Sequence, residues 1–174
     1  EDFLESFSPS CKSAHERILL GCREDEVGFG WYGLPDADLR ELKDLAAKFP
    51  SLETVVQIGI GGSALGSLML KNALAFSSGT TPNFIVLDNV DPRELSVLEA
   101  TLNPQASVMV VVSKSGGTAE TMANFLWLFA LFEKKLGREE TLRRVVVLTD
   151  PQSGILRDFV KETDHPHVQR RPRR

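Results

Sequence analysis

Four short apolar runs alternate with longer stretches of helical periodicity, and this alternation constrains the fold more than any other feature of the 174-residue chain. The runs are TVVQI at 54–58, FIVLD at 84–88, SVMVVV at 107–112 and RVVVLT at 144–149. Strands apolar on consecutive residues are buried on both faces, and strands joined by helices form a parallel sheet covered on both sides. The connecting helices are expected near 64–75, 93–102, 118–135 and 154–161. Right-handed crossovers bring the strand-to-helix loops to the carboxyl edge of such a sheet, where ligands bind.

The first fifty residues have a different grammar. Ser8-Pro9-Ser10 reads as a helix start ahead of an amphipathic segment from Cys11 to Leu20. Pro35-Asp36 reads as the opening of a second helix, with Leu39, Leu42, Leu45, Ala46 and Phe49 at helical spacing, and VGFGWYGLP between them reads as a loop. At the other end, HPHVQRRPRR (165–174) holds four arginines and no apolar periodicity. The expected organisation is a helical N-terminal extension over 1–50, an α/β domain over 51–162 and a disordered basic tail over 163–174.

Two strand-to-helix loops are rich in glycine. IGIGGSALG (58–66) follows the first strand and opens a helix. Its glycines permit a tight turn, Ser63 can cap the helix, and N–H groups at a helix start attract an anion. Gly59, Gly61 and Ala64, with Asp88 after the second strand, also fit a dinucleotide template. The second loop, SKSGGT (113–118), favours a phosphate over a dinucleotide, which needs no further hydroxyl-rich cradle after its third strand. Ser113, Ser115 and Thr118 supply hydroxyls, Gly116-Gly117 lets N–H groups face inward, Thr118 or Ser115 can cap the next helix, and Lys114 adds a cation.

A net charge of −4 gives no global field for nucleic acid, and no apolar stretch approaches the roughly 20 residues that span a bilayer. Cys11 and Cys22 are expected as reduced thiols in a cytoplasmic protein, and neither they nor His15, His165 and His167 show metal-ligand spacing. No metal and no cofactor are expected.

GIGGSALG at 59–66 followed by VVSKSGGTAET at 111–121 resembles the paired signature of the sugar isomerase (SIS) fold, and within it that of bacterial glucose-6-phosphate isomerase. FGWYGLP, LDNVDP (87–92) and VVVLTDP (145–151) add to the resemblance, which covers roughly residues 27–158. It implies a three-layer, flavodoxin-like parallel sheet of about five strands flanked by helices. It also implies that Ser113, Lys114, Ser115 and Thr118 bind the substrate phosphate and that Gly62 and Ser63 border the sugar. The implied partner is glucose 6-phosphate or fructose 6-phosphate, and a homodimer is expected from apolar surface left uncovered. Arg93 and Glu120 are read as helix-surface charges.

The resemblance ends beyond Asp150-Pro151, where KETDHPHVQRRPRR departs from the family's continuation. The family's motifs carrying the arginine, the catalytic glutamate, the histidine and the lysine are not matched, so no catalytic residue is assigned. The reading is a sugar-phosphate-binding domain cut short of the catalytic motifs. The alternatives are a stand-alone phosphosugar-binding or regulatory module and, behind it, a dinucleotide-binding domain.

Overall fold

The computed structural model describes residues 2–24, 29–74, 82–163 and 168–169. The described residues divide into two compact units, one up to Glu41 and one from Leu42 onward.

The first unit holds helix α1 (Asp2–Arg23) and a 3-10 turn over Gly30–Asp36. The expected helix start at Ser8-Pro9-Ser10 is overridden, because α1 runs through Pro9. Phe3 and Phe7, one turn apart ahead of the proline, pack edge to face at 5.1 Å. Pro35-Asp36 ends the 3-10 turn instead of opening a helix, and α2 (Arg40–Ala47), which crosses the boundary between the units, begins four residues later than Asp36. Residues 27 and 28 of the expected loop lie outside the described residues.

The second unit is an α/β domain. Strands β1 (Thr54–Ile58), β2 (Asn83–Leu87), β3 (Ser107–Ser113) and β4 (Val145–Thr149) are parallel, and a two-residue strand, β5 (Val168–Gln169), joins beside β4 to give the order β2-β1-β3-β4-β5. This is the flavodoxin-like order. The helices between them are α3 (Leu65–Leu74), α4 (Pro92–Thr101), α5 (Ala119–Leu136), α6 (Arg138–Leu142) and α7 (Ile155–Thr163). The rest of the expected tail, including His165 and His167, lies outside the described residues.

With β2 and β3 on opposite sides of β1, right-handed crossovers put α3 on one face of the sheet and α4, α5 and α7 on the other. The core lies on that second face. Val56, Ile58, Leu87, Met109, Val111, Val145 and Val147 alternate inward from the strands against Leu98, Leu102, Leu128, Phe132, Leu156 and Val160 of the helices and their ends. Phe125, Phe129 and Phe159 make three mutual edge-on contacts, at 5.3–6.0 Å, which fasten α7 to α5. Helices flank the sheet on both faces, as the strand pattern implies, but the coverage is unequal. On the other face Val86, Val108 and Val146 are buried, Val55, Val110, Val112 and Leu148 are half-buried, and no residue of α3 is buried. Among the described residues no helix is long and apolar enough to cross a membrane.

One helix start is tied down from its own sequence. The Asp91 carboxylate accepts the Arg93 backbone N–H at 2.8 Å, with Pro92 occupying the first helical position of α4. Asp91→Ala is expected to lower stability by about 1 kcal/mol. The change should read as a lower urea midpoint at unchanged m-value.

Candidate functional site

The register of the sheet brings three loops to one place. Ile58 of β1 lies beside Val111 of β3, and Ser113 at the end of β3 lies beside Thr149 at the end of β4. The loops leaving β1, β3 and β4 therefore emerge side by side at the carboxyl edge. Between them is a cleft of about 370 Å³ lined by Ile60 and Ser63, by Val112 to Ser115 with Thr118 and Thr121, and by Asp150 and Ser153.

The β1 loop turns where it crowds against the end of β3. A Cβ on Gly59 would come within 2.9 Å of the Val112 carbonyl oxygen and 3.0 Å of the Ser63 Cβ, so only glycine fits there. Gly61 has φ +53 and opens a 3-10 turn over Gly61–Ser63. The turn uses its own donors: the Ser63 N–H bonds the Ile60 carbonyl at 3.0 Å and the Ala64 N–H bonds the Gly61 carbonyl at 2.9 Å. This loop is consequently a weaker anion nest than its glycines suggest, because these N–H groups are engaged internally. Ser63 closes the turn and does not stand immediately before α3, which starts at Leu65. Buried Gln57 donates from Nε2 to the Ser63 carbonyl at 2.7 Å and fixes the turn to β1. Ser63 lines the cleft, whereas Gly62 is exposed and does not.

The β3 loop is the hydroxyl-bearing wall. Thr118 Oγ1 lies 3.3 Å from Ser113 Oγ and 3.4 Å from Ser115 Oγ, so the three side chains converge at the start of the 18-residue α5. Thr118 occupies the N-cap position without a side-chain capping bond; its hydroxyl turns to the two serines instead. The Gly116 N–H donates to Ser113 Oγ at 3.1 Å and the Gly117 N–H donates to Ser115 Oγ at 3.4 Å. Gly116 adopts φ +67, which lets the loop fold back on itself. Exposed Lys114 lines the same cleft. Clustered hydroxyls, an ammonium group and the positive end of a helix dipole are the donor set for a dianionic oxyanion group.

The sequence reading missed four contributors. Asp150 and Ser153 form the third wall, Thr121 lines the cleft from the first turn of α5, and Gln57 braces the β1 turn. Only the T-D-P turn signal after β4 could have drawn attention to Asp150. Asp88, the acid of the dinucleotide template, is exposed beyond β2 and does not line the cleft, and neither do Arg93 and Glu120. Buried Asn124 donates from Nδ2 to the Asn89 carbonyl at 3.0 Å, tying the loop after β2 to α5.

Comparisons of the sequence and the fold place the chain among known proteins. The sequence model of the family described as phosphoglucose isomerase matches residues 41–157. A probable glucose-6-phosphate isomerase of Haloquadratum walsbyi is 38% identical over 167 residues, covering 95% of this chain and 38% of that protein. A glucose-6-phosphate isomerase of Thermus thermophilus is 38% identical over 91% of this chain and 38% of its own length. The chain thus spans about two fifths of the curated relatives it matches. Among solved structures, a hypothetical protein from Thermus thermophilus superposes with a TM-score of 0.81 at 35% identity, over 97% of this chain and 40% of that one. A glucose-6-phosphate isomerase from Chlamydia trachomatis superposes with a TM-score of 0.64 at 27% identity, over 75% of this chain and 24% of that one.

Proposed function

The chain belongs to the phosphoglucose isomerase family, and from that premise we propose that its cleft holds the phosphate of glucose 6-phosphate or fructose 6-phosphate. The observation that carries this reading is the convergence of the Ser113 and Ser115 hydroxyls on that of Thr118, at 3.3 and 3.4 Å, at the N-terminus of α5. Lys114 supplies charge from the rim and Ser63 faces the sugar across the cleft, with Gly62 at the turn beside it. Hydroxyls and amides bind a dianion without burying a full counter-charge, which suits a site that must also release its ligand.

These groups capture and orient. A phosphate held equally in the ground and transition states deepens binding without lowering the chemical barrier. The proposal for the whole protein is the interconversion of the two hexose phosphates in the cytoplasm, with this domain supplying the phosphate grip. Calorimetric titration of the 174-residue chain with fructose 6-phosphate, glucose 6-phosphate and NAD tests it. Saturable heat with either hexose phosphate and none with NAD is expected; saturation by NAD alone would overturn the reading in favour of a dinucleotide site.

We further propose that the chain forms a homodimer through α3. Leu65, Met69, Leu70 and Leu74 are each more than half exposed along that helix, an apolar surface that monomeric proteins rarely leave open. Light scattering after size exclusion is expected to give twice the monomer mass, and Met69→Glu with Leu70→Glu the monomer mass.

A further inference from the structure

We infer that the loop from Asp150 to Gly154 is the brace that shapes the phosphate-binding loop, with Asp150 and Gly154 as positioning residues. This inference rests on the phosphate reading of the cleft and adds residues that lie outside the hydroxyl cluster.

The two loops are fitted into each other through a pair of glycines. Gly116 and Gly154 both have positive φ, +67 and +106. A Cβ on Gly154 would overlap the Ser115 carbonyl oxygen and come within 3.1 Å of the Gly116 Cα. A Cβ on Gly116 would meet Thr149 Oγ1 at 2.9 Å and the Gly154 Cα at 3.3 Å. The Leu156 N–H then bonds the Gly116 carbonyl at 3.0 Å, which pins the phosphate loop to the first turn of α7. Ser115 and Gly116 sit where Gly154 allows, and with them the Ser115 hydroxyl and the Gly117 N–H.

Asp150 sets the path of the brace. Its Oδ1 accepts the backbone N–H groups of Gln152 at 2.8 Å and Ser153 at 3.1 Å, fixing the turn that delivers Gly154 against Ser115. A carboxylate in the lining of an anion cleft opposes the ligand's charge. The turn it closes explains its presence there, and the two effects have opposite signs under substitution. Asparagine keeps the acceptor oxygen and removes the charge; alanine removes both.

The test uses the whole 174-residue chain and two readouts. In the ligand-free protein, amide hydrogen exchange at Gly116 and Gly117 is expected to speed up at least about tenfold in Asp150→Ala and Gly154→Ala, to stay near wild type in Asp150→Asn, and to be unchanged at Val111 in all three. Titration with fructose 6-phosphate is expected to show about tenfold weaker binding for Asp150→Ala, the cost of one misplaced hydrogen bond to a charged group. Asp150→Asn should bind as wild type or more tightly. Wild-type exchange at Gly116 in both Asp150→Ala and Gly154→Ala would overturn the brace, and so would Asp150→Asn losing as much affinity as Asp150→Ala, since the carboxylate would then itself be needed by the ligand. If Gly154→Ala does not fold, Asp150→Ala and Asp150→Asn decide alone. Failure of the wild type to bind any hexose phosphate would sink the phosphate reading and leave the exchange result to judge the brace.

Discussion

Replacing Ser113 and Thr118 together with alanine is expected to weaken glucose 6-phosphate binding about 10- to 150-fold. Hydrogen bonds to a charged group contribute about 1.5–3 kcal/mol, and each 1.4 kcal/mol is tenfold in affinity. The two hydroxyls stand 3.3 Å apart and hydrogen-bond each other, so the double variant should lose less than the sum of the single ones. The single variants separate binding from folding. Ser113 Oγ accepts the N–H of buried Gly116, so Ser113→Ala also leaves a donor unpaired and should lower stability by about 1–3 kcal/mol. Thr118 caps nothing with its side chain and leaves no buried N–H unpaired when replaced, but its hydroxyl meets those of Ser113 and Ser115, so Thr118→Val is expected to lower affinity with a smaller loss of stability, about 0.5–1.5 kcal/mol. Calorimetry and denaturation on the same preparations check both halves. Unchanged affinity in the double variant would remove the hydroxyl cluster from the site.

Phe132→Ala is expected to cost about 3–5 kcal/mol of stability, a large fraction of the roughly 5–15 kcal/mol that holds a domain folded. Phe132 is fully buried on α5 within the cluster that joins the sheet to α4, α5 and α7. Its removal opens a cavity in the core, where the aromatic packing of α5 against α7 resists collapse into the space. Leu126 is the control on the same helix: it is 61% exposed, and Leu126→Ala should change stability by no more than about 0.5 kcal/mol. Equal losses at the two positions would show that the packing of α5 has been misassigned. Because α5 also presents Thr118 at its start, any Phe132→Ala protein that remains folded should still bind hexose phosphate once its folded fraction is counted.

The strands were legible in the sequence because Val- and Ile-rich runs bounded by glycine, proline and aspartate leave few alternatives. TVVQI forms β1 over the expected residues, and the other long strands differ at their ends by a residue, as where Asn83 joins β2 and Asp88 does not. The hydroxyl loop was legible too, since a Ser-x-Ser-Gly-Gly-Thr run between a buried strand and a long apolar helix has little use as a plain turn. Three things were hidden, each for a physical reason. The passage of α1 through Pro9 runs against proline's helix-breaking tendency, so local start signals point the other way. The internal pairing of Ser63 and Ala64 N–H groups depends on a 3-10 turn whose type glycine content alone does not select. The place of Asp150 in the cleft depends on β4 lying next to β3, a tertiary fact that brings residues 113 and 149 into register.

The phosphate grip at the start of α5 is tested most directly by a titration followed through backbone amide resonances, with fructose 6-phosphate added to the isotopically labelled 174-residue chain. The account predicts saturable shifts concentrated at Ser115, Gly116, Gly117 and Ala119, with smaller ones at Ser63, and none of them on addition of NAD. Shifts confined to other parts of the sheet edge, or saturation at Gly59, Gly61 and Asp88 by NAD with no response at Gly116 and Gly117 to the hexose phosphate, would contradict it.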